Sequence, residues 1–166
     1  MKIFLLFVMS LFMFFGCARQ EPMEMTLQEK EKAKKEIKEV VNLIISGLEK
    51  LDAESTFQKY LNTTDFILFM VQGTMADYQT ALNEHKGWFQ TLSSLKVNSV
   101  KEEIRFMPGS IVIYPWLGRF DMTFKSGEQL VIDFGVTMIF RKIENQWTVV
   151  YQQTSQIPSA MESPGK

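Results

Sequence analysis

The chain of 166 residues holds a single cysteine and a single histidine. One cysteine excludes an intrachain disulfide. One histidine excludes a metal centre built on several imidazoles, and no run of acidic or thiol residues has metal-ligand spacing. No glycine-rich phosphate loop is present, so the sequence points to no cofactor. Basic excess is also missing: 18 Lys and Arg face 19 Asp and Glu, for a net charge of −1. A chain with so little positive charge cannot neutralise phosphates, which excludes nucleic acid as a partner. The longest apolar run, residues 3–15, is interrupted only by Ser10. As a helix it spans about 20 Å, short of a hydrocarbon core of about 30 Å.

What is present is ordinary globular material, 46% apolar and 22% charged, with 14 Phe and 11 Met. The start reads as an address. Lys2 precedes the short apolar run, and Gly16 and Cys17 precede the polar stretch ARQEPMEM, the order of an export signal. Phe14-Phe15-Gly16-Cys17 resembles the bacterial lipobox, with Phe14 where the consensus has Leu. That resemblance implies cleavage before Cys17, fatty acylation (palmitate among the chains) of its thiol, and attachment to a membrane of the cell envelope. Each buried CH₂ contributes roughly 0.8 kcal/mol, so two or three chains hold a protein firmly. Ala18 follows the cysteine in place of Asp, which by the sorting rule of enteric bacteria implies the outer membrane, facing the periplasm. The expected organisation is a leader over 1–16, a tether over 17–25, a folded domain over 26–157 and a polar tail over 158–166. Loss of the leader removes Lys2 and leaves 150 residues, enough for one core.

Within the domain, Thr26 followed by Glu29 has capping-box spacing. Ile37, Val40, Val41, Ile44, Ile45 and Leu48 then recur at helical intervals, which predicts a helix over 26–51. Asp52 opens a second, short helix carrying Phe57, Tyr60 and Leu61. Residues 66–71 form an apolar run suited to a buried strand. Tyr78, Leu82, His85, Phe89 and Leu92 are spaced at threes and fours, predicting a third helix over 76–92. From Val97 onward the period becomes two, with strands over 97–106, 111–124, 129–142 and 147–155 joined by polar turns. Pro115, near the middle of the second of these, predicts an edge or a bulge.

The order helix, helix, strand, helix and four antiparallel strands resembles the NTF2-like superfamily, and the closing segment resembles its SnoaL-like and DUF4440-like branches. There Trp147 precedes two β-branched residues, and Tyr151 and Gln153 stand where those branches often carry histidines. Thr137-Met138-Ile139-Phe140-Arg141 also fits the strand before it. The resemblance implies an α+β cone: three N-terminal helices packed on a curved, mostly antiparallel sheet, with a conical pocket on one side. It further implies a homodimer formed through the other face of the sheet.

Strand alternation puts Trp147, Val149, Tyr151, Gln153 and Ser155 on one face. Tyr151 and Gln153 then either grip a polar group in the pocket or belong to a dimer face. Asp133 and Thr137 share a face of their strand; Asp133 is a pocket acid on one reading and a solvated carboxylate on the other. Tyr114, Trp116 and Phe120 share a face that suits a small apolar ligand or plain core packing. His85 reads as a surface or half-buried histidine. Ketosteroid-isomerase-like relatives carry a catalytic Asp near the end of the first strand, where Phe69-Met70-Val71 is wholly apolar. Two functions remain: a non-catalytic module that binds a small apolar molecule or supports a partner, and a SnoaL-like isomerase, cyclase or hydrolase using Asp133, Tyr151 and Gln153. A pure scaffold with a filled interior is a third.

Overall fold

The computed structural model describes residues 24–157. Cys17, the leader, most of the tether and the 158–166 tail lie outside the described residues.

Helix α1 (Leu27–Glu49) begins where its sequence has the means to stop fraying. The Thr26 hydroxyl accepts from the Glu29 N–H at 3.3 Å, and the Glu29 carboxylate accepts from the Thr26 N–H at 2.7 Å. Two orphan donors are thereby satisfied, a cap that typically stabilises by about 1 kcal/mol. Its inward stripe is Ala33, Ile37, Val40, Val41 and Ile44, all buried. The helix ends in a tight reversal: the Asp52 N–H donates to the Gly47 carbonyl and the Leu51 N–H to that of Leu48. Leu51 adopts φ 56°, the left-handed residue this type of cap requires. Asp52 then caps α2 (Ala53–Phe57), accepting from the Ser55 N–H. Gly47 allows this hairpin to close, because a Cβ there would lie 2.5 Å from the Thr56 backbone nitrogen.

Next come two short strands, β1 (Ile67–Phe69) and β2 (Met75–Ala76), then α3 (Tyr78–Phe89), capped by Asp77. The third helix is shorter than its apolar spacing predicts. Ala76 pairs in β2 and Leu92 opens the next strand, so both ends of that stripe are core positions outside the helix. The remaining chain forms β3 (Leu92–Glu102), β4 (Arg105–Met107), β5 (Ile111–Phe124), β6 (Gln129–Ile143) and β7 (Gln146–Ile157).

One sheet runs in the order β2-β1-β7-β6-β5-β3, with β4 beside β5. All pairings are antiparallel except β1 with β7. The sheet curls around α1, and the helices cover its concave face. Pro115 lies inside the sheet rather than at its edge. Its carbonyl accepts from Glu103, and its missing N–H falls at the break between β3 and β4. The single strand predicted over 97–106 is therefore two strands, interrupted opposite the proline.

The narrow end of the cone is sealed by Val112, Tyr114, Phe140, Trp147 and Val149, none more than 3% exposed. Polar ties fix α1 to this end. The Trp147 indole donates to the Glu36 carboxylate at 2.9 Å. The Tyr114 phenol donates to the Glu102 carboxylate, which also pairs with Lys38. These contacts hold the Glu102 carboxyl below its usual pKa, the Lys38 contact first.

Strand β7 departs from simple alternation at one point. Ile139 pairs with Tyr151 but Phe140 pairs with Val149, leaving Val150 as an extra residue. Such a bulge turns every later side chain to the opposite face. Trp147 and Val149 point into the core as alternation requires; beyond Val150 the inward residues are Gln152, Thr154 and Gln156. The shared face drawn through Trp147, Tyr151 and Gln153 is thus corrected by a single inserted residue.

Candidate functional site

Above the sealed end the cone is hollow. A partly open cavity of about 450 Å³ lies between the second half of α1 and the sheet, within the size range of small-molecule sites. Its floor is Phe120, Met122 and Phe124 of β5 with Leu130, Ile132, Phe134, Val136 and Met138 of β6. Alternation places these on one face because both strands run straight through the region without a bulge. Ile44, Ile45 and Leu48 of α1 form the roof. Phe57 and Tyr60 close one side, and His85 and Trp88 of α3 another.

Trp116 also lines the cavity, and its indole has an unusual seat. The ring lies where a Cβ on Gly118 would be, with Cη2 1.8 Å from that position. Its Nε1–H donates to the Ser99 hydroxyl at 2.9 Å. A hydrogen bond at one edge and a glycine beneath the ring keep the indole flat against the wall.

Thr56, Gln72, Glu84 and Gln156 border the cavity, and three further polar side chains form a hydrogen-bonded line. The Tyr60 hydroxyl donates to Gln152 Oε1 at 2.6 Å, and Gln152 Nε2 donates to Thr154 Oγ1 at 3.1 Å. Burial pushes the Tyr60 phenol well above its ordinary pKa, so it stays a neutral donor. The chain's one histidine also lines the cavity, from α3. His85 Nδ1 lies 2.8 Å from the Ala81 carbonyl oxygen. A carbonyl only accepts, so Nδ1 carries the proton and Nε2 of the neutral ring is an acceptor. Phe57, Trp88 and Phe89 meet the imidazole edge-on, with centroids 4.8 to 6.0 Å away. That apolar burial lowers the His85 pKa and outweighs the opposing effect of the Ala81 bond. Among the described residues, no group of three or more His, Cys, Asp or Glu is placed to hold a metal ion.

Of the pocket residues proposed from the sequence, Trp116 and Phe120 line this cavity and the others lie off it. Tyr114 is wholly buried beneath it, against Phe140 and bonded to Glu102. Asp133 sits on the convex face in a two-pronged pair with Arg119, at 2.8 and 3.1 Å. That pair holds the Asp133 carboxyl below its usual value. Thr137 pairs with Gln153 on the same convex face, and Tyr151 packs there against Phe69 at 6.1 Å between centroids. Tyr151 and Gln153 are turned outward by the bulge at Val150. Asp133 and Thr137 are outward because the apolar half of β6 faces the cavity. The cavity residues that sequence reasoning passed over are Tyr60, His85, Gln152 and Thr154. A signal existed for His85, which falls on the apolar stripe of α3 together with Tyr78, Leu82 and Phe89.

No family model and no curated protein sequence matches the chain. Solved structures do. An NTF2-like superfamily protein from Salmonella enterica serovar Typhimurium LT2 superposes with a TM-score of 0.72 at 16% identity, over 82% of this chain and 99% of that one. An NTF2-like protein of unknown function from Pseudomonas putida KT2440 gives 0.66 at 16% identity, over 80% and 91%. A protein provisionally assigned as a scytalone dehydratase, from Novosphingobium aromaticivorans, gives 0.70 at 8% identity, over 77% and 86%. At these identities the likeness concerns architecture alone: the chain has the NTF2-like cone fold.

Proposed function

We propose that this chain is a lipid-anchored protein of the bacterial cell envelope whose cone binds a small, largely apolar molecule, acting as a binding or accessory module rather than a catalyst. The observation that carries the reading is the cavity of about 450 Å³, apolar on most sides, with one short line of neutral polar groups. A scaffold with no ligand has no need of that hollow, because filling it with side chains would be stabilising. Anchorage through acylated Cys17 rests on the lipobox-like sequence. Ala18 favours the outer membrane, with the domain in the periplasm. The closing strand favours the SnoaL-like branch of the fold. A second copy is the partner proposed for the convex face, where Ile67, Ile113, Leu117, Ile139 and Tyr151 are at least partly exposed around the Arg119–Asp133 pair.

A catalytic reading has one observation in its favour, the acceptor nitrogen of His85 on a ring that lines the cavity. Proton transfer needs a partner acid or a polarised substrate within reach. Asp133 and Tyr151 lie on the convex face, Tyr60 is held as a neutral phenol, and the one carboxylate bordering the cavity, Glu84, is exposed to solvent. Binding without turnover therefore has the stronger support.

The deciding experiment is a thermal-shift screen of the purified chain against a panel of lipids and small metabolites. Ligand present at 100 times its Kd adds about 2.7 kcal/mol of stability, which a melting curve resolves. Absence of any shift across a broad panel sinks the binding reading in favour of the scaffold. Conversion of a bound compound, followed by mass spectrometry, sinks the non-catalytic part.

A further inference from the structure

The charge of the cavity wall narrows the ligand further. Among the described residues no Lys or Arg lines the cavity, and its one acidic residue, Glu84, adds negative charge at the rim. An anionic headgroup, such as a fatty-acid carboxylate, would enter without a counter-charge and lose its water, at a cost of several kcal/mol. Nor does His85 supply the missing cation, since its burial favours the neutral ring.

His85 contributes something else. Its Nδ1–H is committed to the Ala81 carbonyl, which fixes the ring and leaves Nε2 on the opposite edge as an acceptor. No described residue donates to Nε2, yet no buried side-chain nitrogen or oxygen is without a partner. Nε2 is therefore open rather than sealed, on a ring that lines the cavity. The line on β7 ends in the complementary way. Gln152 uses Tyr60 as its donor and Thr154 as its acceptor, so the Thr154 hydroxyl proton is the one left to give.

Building on the reading of the cone as a binding site, we infer that it selects neutral, hydroxyl-bearing amphiphiles, whose O–H donates to His85 Nε2, and rejects the matching carboxylates. A hydroxyl is uncharged and still donates. Thr154 serves an acceptor oxygen on the same ligand.

Three probes of one chain length separate these features: 1-octanol, methyl octyl ether and octanoate. Each is titrated into the purified full chain at pH 8, with fluorescence of Trp88 and Trp116, both in the wall, as the readout. Octanol should bind roughly three- to tenfold tighter than the ether, the range set by one net hydrogen bond. Octanoate should bind at least about a hundredfold more weakly than octanol. His85→Phe should abolish the preference of octanol over ether while keeping the ether's affinity. Thr154→Val should weaken both and preserve their ratio. Equal binding of octanol and ether by the unaltered chain overturns the inference, as does octanoate binding as tightly as octanol, and both leave the pocket intact. A preference that survives His85→Phe also overturns it. If that variant does not fold, the ranking in the unaltered chain decides. Failure of all three probes to bind removes the pocket reading itself and the inference with it.

Discussion

Tyr60 and Gln152, 92 positions apart in sequence, meet at 2.6 Å where the turn after α2 meets the last strand. Their bond joins the helical side of the cone to the sheet at the cavity wall. Beside it the backbones also connect: the Val149 N–H donates to the Lys59 carbonyl, and the Leu61 N–H to the Val149 carbonyl.

Tyr60→Phe keeps the ring and deletes the donor. Gln152 Oε1 then faces an apolar hollow with one partner fewer. A net loss of about 1 kcal/mol is expected, read as a lower midpoint in urea with an unchanged slope. An unaltered midpoint would mean that water or another donor replaces the phenol freely.

Gly118→Ala tests the seat of Trp116. The added methyl group cannot coexist with the indole where it now lies, so the ring must tip toward the cavity. Overpacking of this kind costs typically 1–3 kcal/mol. The decisive readout is a change in Trp fluorescence coupled to weaker ligand binding. Loss of stability with unaltered emission and affinity would place the strain elsewhere.

Gly47→Ala reverses a familiar sign. In an exposed helix interior the change stabilises by about 1 kcal/mol. Here the new Cβ runs into the backbone of Thr56, and the α1–α2 hairpin must spread. A net destabilisation by denaturant titration is expected; a gain would show that the hairpin yields without cost.

The pH dependence of stability should have two limbs. Burial lowers the His85 pKa in the folded chain, so the unfolded chain takes up its proton first, near pH 6.5. The stability linked to His85 is thus whole above that pH and falls as pH drops toward the folded value, by at most about 1.4 kcal/mol per unit. Glu84 flanks the ring on its own helix, and the Glu54–Lys86 pair bridges to α2 at 2.6 Å. Carboxyls held low in the folded chain, Glu102, Glu54, Asp52 and Asp77 among them, create the second limb as pH falls below about 4.5. His85→Phe should flatten the first limb and leave the second. Denaturation midpoints taken between pH 8 and 4 test this.

Cys17→Ser tests the proposed anchor. The variant should leave the membrane fraction, or accumulate unprocessed, and lack the mass of the acyl chains. Unchanged fractionation together with unchanged mass refutes lipidation.

Much of this architecture was legible because periodicity survives where elements are regular. The stripe from Ile37 to Leu48 and the alternation from Ile132 to Met138 each name an inward face directly. Legibility failed where one residue altered the phase. Nothing in Val149-Val150-Tyr151 marks the bulge, because its cause is the strand pairing and not local preference. Alternation alone therefore groups Tyr151 and Gln153 with the inward Trp147 and Val149, and sets Gln152 and Thr154 on the other face. His85 was discounted for a different reason. A lone imidazole lacks the companions that metal and catalytic motifs supply, and its partner is a main-chain oxygen that no side-chain pattern reveals.

The extra residue at Val150 means that β7 carries two polar sequences, only one of which meets the interior. Flattening the bulge with Val150 kept in the ladder would exchange them, whereas deleting Val150 would leave Tyr151 opposite Ile139 and Gln152 opposite Met138, with the Gln152–Thr154 pair still inward. Which polar set lines the hollow thus depends on where the strand accommodates a single residue, with no side chain replaced.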